Sequence, residues 1–309
     1  MVNKISVIGA GAVGSTLAFH LFSRLPLAEL VIVDIAGGLA KGVSLDIEDT
    51  RAFFNSSTKI EGTDDFCSIK DSDIVVIAAG IARNEGMSRL DLLKINAKVA
   101  GDVSSYIKKH AKNSIVVVVT NPLDIITYLV HKATGFPSNR VIGMGSSLDS
   151  ARLLNILHKE SGFSTASLEA FVFGLHNNMM VISENHLKVK GEPAEKFFSK
   201  DTIKKIQEKT ALRGGEIVGY LKNRSANFAP SFSVFKLIKA IAEDSNEIIP
   251  VSVLLSGEYG LKDVCVGLPC VINKTGISKI IELELTQEEK EKIRSAQDEF
   301  KQLKDLNMD

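Results

Sequence analysis

No apolar run in this chain is long enough to cross a bilayer; the longest, such as Ile115 to Val119, have the length of a strand. Neither sign of charge is in excess. Lys+Arg (37) balance Asp+Glu (37) for a formal net charge of +0, which gives no support to nucleic-acid binding or to an electrostatically held membrane protein. Cysteine is scarce. Cys67, Cys265 and Cys270 lack CxxC spacing and any obvious His partner, so neither a zinc site nor a disulfide framework is expected, and all three read as small buried hydrophobes. Repeats, low-complexity tracts and Pro-rich linkers are missing too. The opening, Met1 to Ile5, is expected to run straight into a strand without a charged leader. These absences point to a soluble protein of a reducing, cytoplasmic compartment with no metal, nucleic-acid or membrane partner.

What is present is a long, apolar-rich chain. Its 309 residues, 45% of them hydrophobic, suffice for a large core and most simply for two lobes sharing one interface. Strand-like runs at Lys4–Ile8, Leu30–Asp34, Ile74–Ala79, Ile115–Thr120 and Arg140–Ile142 alternate with amphipathic stretches. That alternation predicts βαβ units on a parallel sheet. From about Gly143 the pattern changes: a helix over Leu148–Glu160, a β-branched and aromatic run over Ala170–Phe173, and helices near Asp201–Leu221 and Phe232–Glu243. A strand-rich stretch from Val251 to Ile272 and a tail helix opened by Thr286-Gln287-Glu288-Glu289 complete it. The expected fold is α/β, an N-terminal Rossmann-type parallel sheet (residues 1–143) with a C-terminal mixed α+β catalytic domain (residues 144–309).

Gly9-Ala10-Gly11-Ala12-Val13-Gly14 follows the first strand and opens a helix, Val13 to Leu25. In such a turn Gly9 permits the tight bend, Gly11 lets backbone approach a pyrophosphate, and Gly14 lets helix and strand pack closely. The helix N-terminus offers free N–H groups and partial positive charge to phosphates. Asp34 ends the second strand about twenty residues after Gly14, where a carboxylate accepts hydrogen bonds from a ribose diol and repels a 2′-phosphate. With strand, helix and distal acid in register, the expected cofactor is NAD rather than NADP.

A loop after the run Ile74–Ala79 carries two cations around a glycine, in Ile81-Ala82-Arg83-Asn84-Glu85-Gly86-Met87-Ser88-Arg89. Arg forks a carboxylate with two parallel hydrogen bonds, so this loop suits a small, doubly negative substrate; the lesser alternative is that Arg83 is a solvated loop charge. Residues about 82–93 are expected to close as a lid that flexes at Gly86.

Further polar groups collect at strand and helix ends, where α/β folds place their sites. Asn121, before Pro122, can donate to a substrate carbonyl or simply form a turn. Asp149 and Arg152 lie three apart on one helix face, as a functional pair or an ordinary surface ion pair. His176 stands just past an apolar strand, as a catalytic or a structural histidine.

Arg83 and Arg89, Asn121-Pro122, Leu148-Asp149-Ser150-Ala151-Arg152 and Gly174-x-His176 occur in the chain order of the lactate/malate dehydrogenase family, which the chain resembles over nearly its whole length. So do Gly9 to Gly14, Asp34, the stretch Arg89 to Ala97 and the stretch Tyr259 to Pro269. It looks most like the lactate-dehydrogenase-like malate dehydrogenases. That resemblance implies reversible NAD-dependent oxidation of a 2-hydroxy acid, with His176 as acid/base and Asp149 holding its tautomer. It implies that Arg152 clamps the substrate carboxylate, that Arg89 and Asn121 polarise the carbonyl, and that Asn96 and Val119, Thr120 and Asn121 line the nicotinamide site. Arg83 stands where malate dehydrogenases commonly carry Arg and lactate dehydrogenases Gln, and Ala226 also fits the malate pattern. The implied reaction is therefore (S)-malate to oxaloacetate, in the tricarboxylic acid cycle, by a homo-oligomer (tetramer or dimer). Alternatives are another 2-hydroxy acid, lactate included, and a catalytically impaired NAD-binding relative.

The chain departs from the family around the histidine. Leu175, Asn177 and Asn178 replace the usual neighbours, with Asn177 where a Gly allows close approach or positive φ and Asn178 where an acid is usual. Asn223-Arg224 stands for a Lys-Gly pair, and Ile182 for a Pro.

Overall fold

The computed structural model describes residues 2–81, 87–222 and 224–304, and only the backbone of residues 89 and 301–304. Strand β1 (Lys4–Ile8) turns into helix α1 (Ala12–Arg24), followed by β2 (Glu29–Val33), α2 (Gly37–Asp49), the single turn α3 (Arg51–Phe54), β3 (Lys59–Thr63) and β4 (Ile74–Ile77). Next come α4 (Arg89–His110), β5 (Ile115–Val118), α5 (Leu123–Thr134) and β6 (Val141–Gly143). Every residue of β4 and β5 is buried, as parallel strands covered by helices on both faces must be. These strands form a parallel sheet in the order β3-β2-β1-β4-β5-β6. The winding reverses between β1 and β4, and the crevice beyond their carboxyl ends is where such sheets bind ligands.

The second half begins with α6 (Gly145–Ser161) and five two-residue strands, β7 (Leu168–Glu169), β8 (Val172–Phe173), β9 (Val181–Ile182), β10 (Lys188–Val189) and β11 (Glu192–Pro193). It continues with α7 (Lys200–Leu221), α8 (Phe228–Ala242), β12 (Glu247–Ser256), β13 (Lys262–Asn273), β14 (Gly276–Ile280) and α9 (Gln287–Lys304). The helix α9 starts as its sequence pattern predicts: Thr286 Oγ1 accepts from the Glu289 N–H and Glu289 accepts from the Thr286 N–H.

Two expectations change. Within the run Ala170–Phe173 only Val172–Phe173 is strand, paired with β9, while the preceding Leu168–Glu169 pairs with β10, so the chain switches sheets between them. Nor does the sheet stop at residue 143. β12 pairs antiparallel with β6 at Ser252 and Gly143, extending it through β13 and β14 to nine strands among the described residues. One core runs through both halves, from Ile5 to Phe300, and a smaller one under α6 and α7 gathers Leu153, Leu157, Val189 and Ile206. Cys265 and Cys270 are in the main core as expected, but Cys67 is exposed, on the surface turn Phe66–Ile69, with His110 Nε2 at 3.7 Å.

Candidate active site

The Gly-rich turn is held by its own backbone. The Gly9 N–H donates to the Val33 carbonyl at 2.7 Å, and Gly9 has φ +108°; a Cβ there would lie 2.6 Å from the Ala79 nitrogen. A Cβ on Gly14 would lie 1.8 Å from the Gly9 oxygen, whereas Gly11 faces open space. The first turn of α1 has no side-chain cap and no acid, so its N–H groups and dipole are available to an anion. Asp34 Oδ2 accepts from the Ala10 N–H at 2.7 Å and Oδ1 from the Ala36 N–H at 2.9 Å, which ties the end of β2 to the turn. Each oxygen keeps lone-pair capacity for a ribose hydroxyl. The cradle therefore fits a dinucleotide: open backbone at Gly11 and Ala12, beside Val13, for the pyrophosphate and Asp34 for the adenosine ribose.

The far wall of the crevice is built from β4 and β5. Thr120 Oγ1 donates to the Ala79 carbonyl at 2.7 Å. The buried Asn96 donates to the carbonyls of Asn121 (2.7 Å) and Ile81 (3.2 Å) and accepts from the Ile81 N–H (2.9 Å). Its amide thus bonds to backbone on both sides, so Asn96 braces this wall of the crevice. Val119 and Thr120 are buried and Asn121, before a cis peptide bond to Pro122, is exposed.

The acid/base candidates meet at the end of β8. Asp149 Oδ2 is 2.5 Å from His176 Nδ1, and its Oδ1 accepts from Arg152 at 3.1 Å. Asp149 is fully buried, and the His176 and Arg152 side chains are each 14% exposed, so this is no solvated surface pair. Asp149 fixes Nδ1, leaving Nε2 for a reacting proton. Burial works against the imidazolium most strongly, but the Asp149 charge and hydrogen bond, with the more distant Asp124, outweigh it and the Arg152 cation. The His176 pKa is raised above its ordinary value. Arg152 Nε is buried and has no hydrogen-bond partner among the described residues, a donor left over beside the imidazole.

Small residues make this approach possible. A Cβ on Gly145, at the start of α6, would lie 3.0 Å from His176 Cβ and 2.5 Å from Leu123 Cδ2. Gly267 of β13 exchanges both backbone hydrogen bonds with Gly174 at 2.8 and 2.9 Å, and a Cβ there would meet Ser146 Oγ at 1.6 Å. Behind the ring lies a carboxylate that the sequence reading passed over. Asp124, in the first turn of α5, accepts from the His176 N–H at 2.7 Å and from Ser252 Oγ at 2.6 Å. Its signal was available: an acid within the apolar run Leu123 to Ile126 needs a buried partner.

Arg83 lies outside the described residues, as does the side chain of Arg89. Arg89 is nonetheless the first residue of α4, whose start is locked by Ser88 and Asp91: Asp91 N–H donates to Ser88 Oγ (3.1 Å) and Ser88 N–H to Asp91 (3.2 Å). Leu92 and Leu93 are buried, so the last residues of the stretch expected to close, 89–93, belong to a packed helix, and residues 82–86 lie outside the described residues.

Asn177 does not use positive φ; that conformation falls on Gly174, at +83°. Its side chain accepts from the Met179 N–H at 2.7 Å and donates to Glu299 of α9. Ile182 is buried in β9, Arg224 is exposed, and Asn223 is outside the described residues. Asn227, beside Ala226, donates to Thr16 of α1 at 2.9 Å, which brings the second half of the chain up to the cofactor cradle.

Residues 3–143 match the family model for the lactate/malate dehydrogenase NAD binding domain, and residues 146–308 that for its alpha/beta C-terminal domain. A malate dehydrogenase of Methanosarcina mazei is 44% identical over 282 residues, covering 91% of this chain and 92% of that one. The crystal structure of Cryptosporidium parvum malate dehydrogenase superposes with a TM-score of 0.94 at 35% identity, over 98% of both chains. The lactate dehydrogenase of the same organism, complexed with lactic acid and NAD, also gives 0.94, at 32% identity over 99% of this chain and 98% of that one.

Proposed function

Because the chain belongs to the lactate/malate dehydrogenase family, we propose that it is an NAD-dependent malate dehydrogenase, with His176 and Asp149 as its acid–base pair. The observation that carries this reading is the buried cluster of Asp149, His176 and Arg152, in which Asp149 orients the imidazole and a guanidinium donor has no partner among the described residues. The backbone alone does not choose the substrate, since a malate and a lactate dehydrogenase superpose equally well. Malate is favoured by the relatives of about 40% identity, which are malate dehydrogenases, and by Arg83 in the sequence.

When bound, NAD+ would accept the hydride in malate oxidation and NADH would supply it in oxaloacetate reduction. The turn from Gly9 to Gly14 would hold its pyrophosphate, Asp34 its ribose, and Val119 to Asn121 the wall beside its nicotinamide. In malate oxidation, neutral His176 takes the hydroxyl proton at Nε2 while Asp149 stabilises the imidazolium; in oxaloacetate reduction the imidazolium returns it. Arg152 clamps the carboxylate next to the reacting carbon. Arg83 receives the distal carboxylate, and Arg89, with Asn121, polarises the carbonyl. An Arg with no anion in a closed, dry site costs several kcal/mol on the order-of-magnitude scale, so pyruvate is a poor fit.

A homo-oligomer, tetramer or dimer, belongs to the same reading. Ring contacts run from Phe54 through Phe19 and His20 to Phe232, an aromatic surface on α3, α1 and α8 with Phe53 beside it 83% exposed. No helix among the described residues is long and apolar enough to cross a membrane. A cytoplasmic location suits the exposed Cys67 thiol.

The test is NADH oxidation with oxaloacetate and pyruvate side by side near neutral pH. Turnover with oxaloacetate and little with pyruvate is expected. Turnover with pyruvate alone would transfer the reading to lactate, and none with either, while NADH still binds, would leave an impaired relative.

A further inference from the structure

Two carboxylates, not one, bear on His176. Asp149 reaches the ring at Nδ1 from α6, and Asp124 reaches the backbone of the same residue from α5. Asp124 Oδ2 accepts the His176 N–H at 2.7 Å and Oδ1 accepts the Ser252 hydroxyl from β12 at 2.6 Å, so α5, the loop after β8 and the sheet meet at one carboxylate. Its neighbours along the helix, Leu123, Ile125 and Ile126, are all buried. Burial pushes its pKa up to about 6; the hydrogen bonds from Ser252 and His176, and the His176 charge, resist that rise. A buried carboxylate is costly to keep ionised, and a neutral acceptor would hold the same N–H. Its charge therefore invites a reason beyond the hydrogen bond.

We propose that Asp124 is a positioning residue for proton transfer at His176: its carboxylate anchors the His176 backbone and, as a second anion near the ring, favours the imidazolium over the neutral form. The inference rests on the acid–base reading of His176. The charged groups bearing on the ring are Asp149 and Arg152 on α6 and Asp124 on α5. Glu299 of α9 is bonded to the neighbouring Asn177, and β12 contributes the neutral Ser252. Asp149 and Arg152 act in opposite directions, so removing the Asp124 charge lowers the His176 pKa. The imidazolium then persists only to a lower pH, and both directions of reaction report it.

Asp124→Asn keeps a carbonyl oxygen for the His176 N–H and removes the charge. The measurement is the pH dependence of kcat/KM for oxaloacetate reduction and malate oxidation, for the wild type, Asp124→Asn and His176→Asn, with NADH affinity measured by fluorescence. In Asp124→Asn the fall of reduction and the rise of oxidation are both expected to move down by about half a pH unit or more, with NADH affinity unchanged. Profiles that superimpose on the wild type, or move up, while His176→Asn is inactive and binds NADH, overturn the role given to Asp124. An active His176→Asn instead removes the reading beneath it, and the proposal with it. Should Asp124→Asn not fold, Ser252→Ala removes one of the two donors and favours the protonated carboxyl. It is expected to move both profiles down by a smaller step, and unmoved profiles there overturn the proposal equally.

Discussion

Asn177 and Glu299 are far apart in the chain and joined in the structure: the Asn177 amide donates to Glu299 Oε2 at 3.1 Å, fastening the residue after His176 to helix α9. The position where the family carries a Gly is thus occupied here by a side chain with a partner of its own. A double-mutant cycle with Asn177→Ala and Glu299→Ala should show a coupling of about 0.5–2 kcal/mol in denaturant unfolding. Strictly additive effects would mean that the contact holds nothing.

Gly145 lets the histidine approach α6. The Cβ of Gly145→Ala would crowd Leu123 and His176 Cβ, so the ring must shift relative to Asp149. Because small misplacements of reacting groups are costly, kcat is expected to fall about ten-fold or more with NADH affinity retained. A variant with wild-type kcat would show that the loop can retreat without harm to the reaction.

The cofactor end was legible because its parts are local: β1, α1 and β2 bring the backbone of Gly9, Gly11 and Gly14 beside the carboxylate of Asp34. The i,i+3 spacing of Asp149 and Arg152 was readable too, but not that burial makes the pair part of a site with His176 from another element. Ser252, Gly145 and Gly267 carry no sequence signal, since what they do appears only when α5, α6, β8 and the antiparallel extension of the sheet meet. The sheet extension itself hid behind a composition change near residue 143 that reads as a boundary, yet β12 continues the same sheet through Ser252 and Gly143. That Asn96 braces the wall was not legible, because its burial and its three backbone hydrogen bonds are tertiary facts.

Asp34 serves both the turn and cofactor choice. Asp34→Asn keeps an acceptor for one of its two backbone donors and removes the charge that repels a 2′-phosphate. Fluorescence titration should give NADH binding weakened by about ten-fold and a smaller preference over NADPH, each ten-fold step being about 1.4 kcal/mol. An unchanged NADH to NADPH ratio would remove Asp34 from discrimination.

The raised pKa of His176 sets the direction of the pH response. Reduction of oxaloacetate needs the imidazolium, so its kcat/KM should hold below the ordinary histidine pKa of about 6.5 and fall as pH rises through the higher value in the folded protein. Malate oxidation needs neutral imidazole and should rise through the same range. The histidine's contribution to stability has the same sign: present below pH 6.5 and lost as pH climbs through the folded pKa. Profiles centred below 6.5 in both directions would contradict the weight given to Asp149.

The most direct test of the account is His176→Asn, measured for NADH binding by fluorescence and for oxaloacetate reduction by NADH oxidation. The account predicts binding like the wild type, since the cradle of Gly9, Gly11, Gly14 and Asp34 is untouched, and turnover reduced by about a thousand-fold or more. Turnover near the wild-type rate with binding intact would contradict it, and the proton would have to pass through another group.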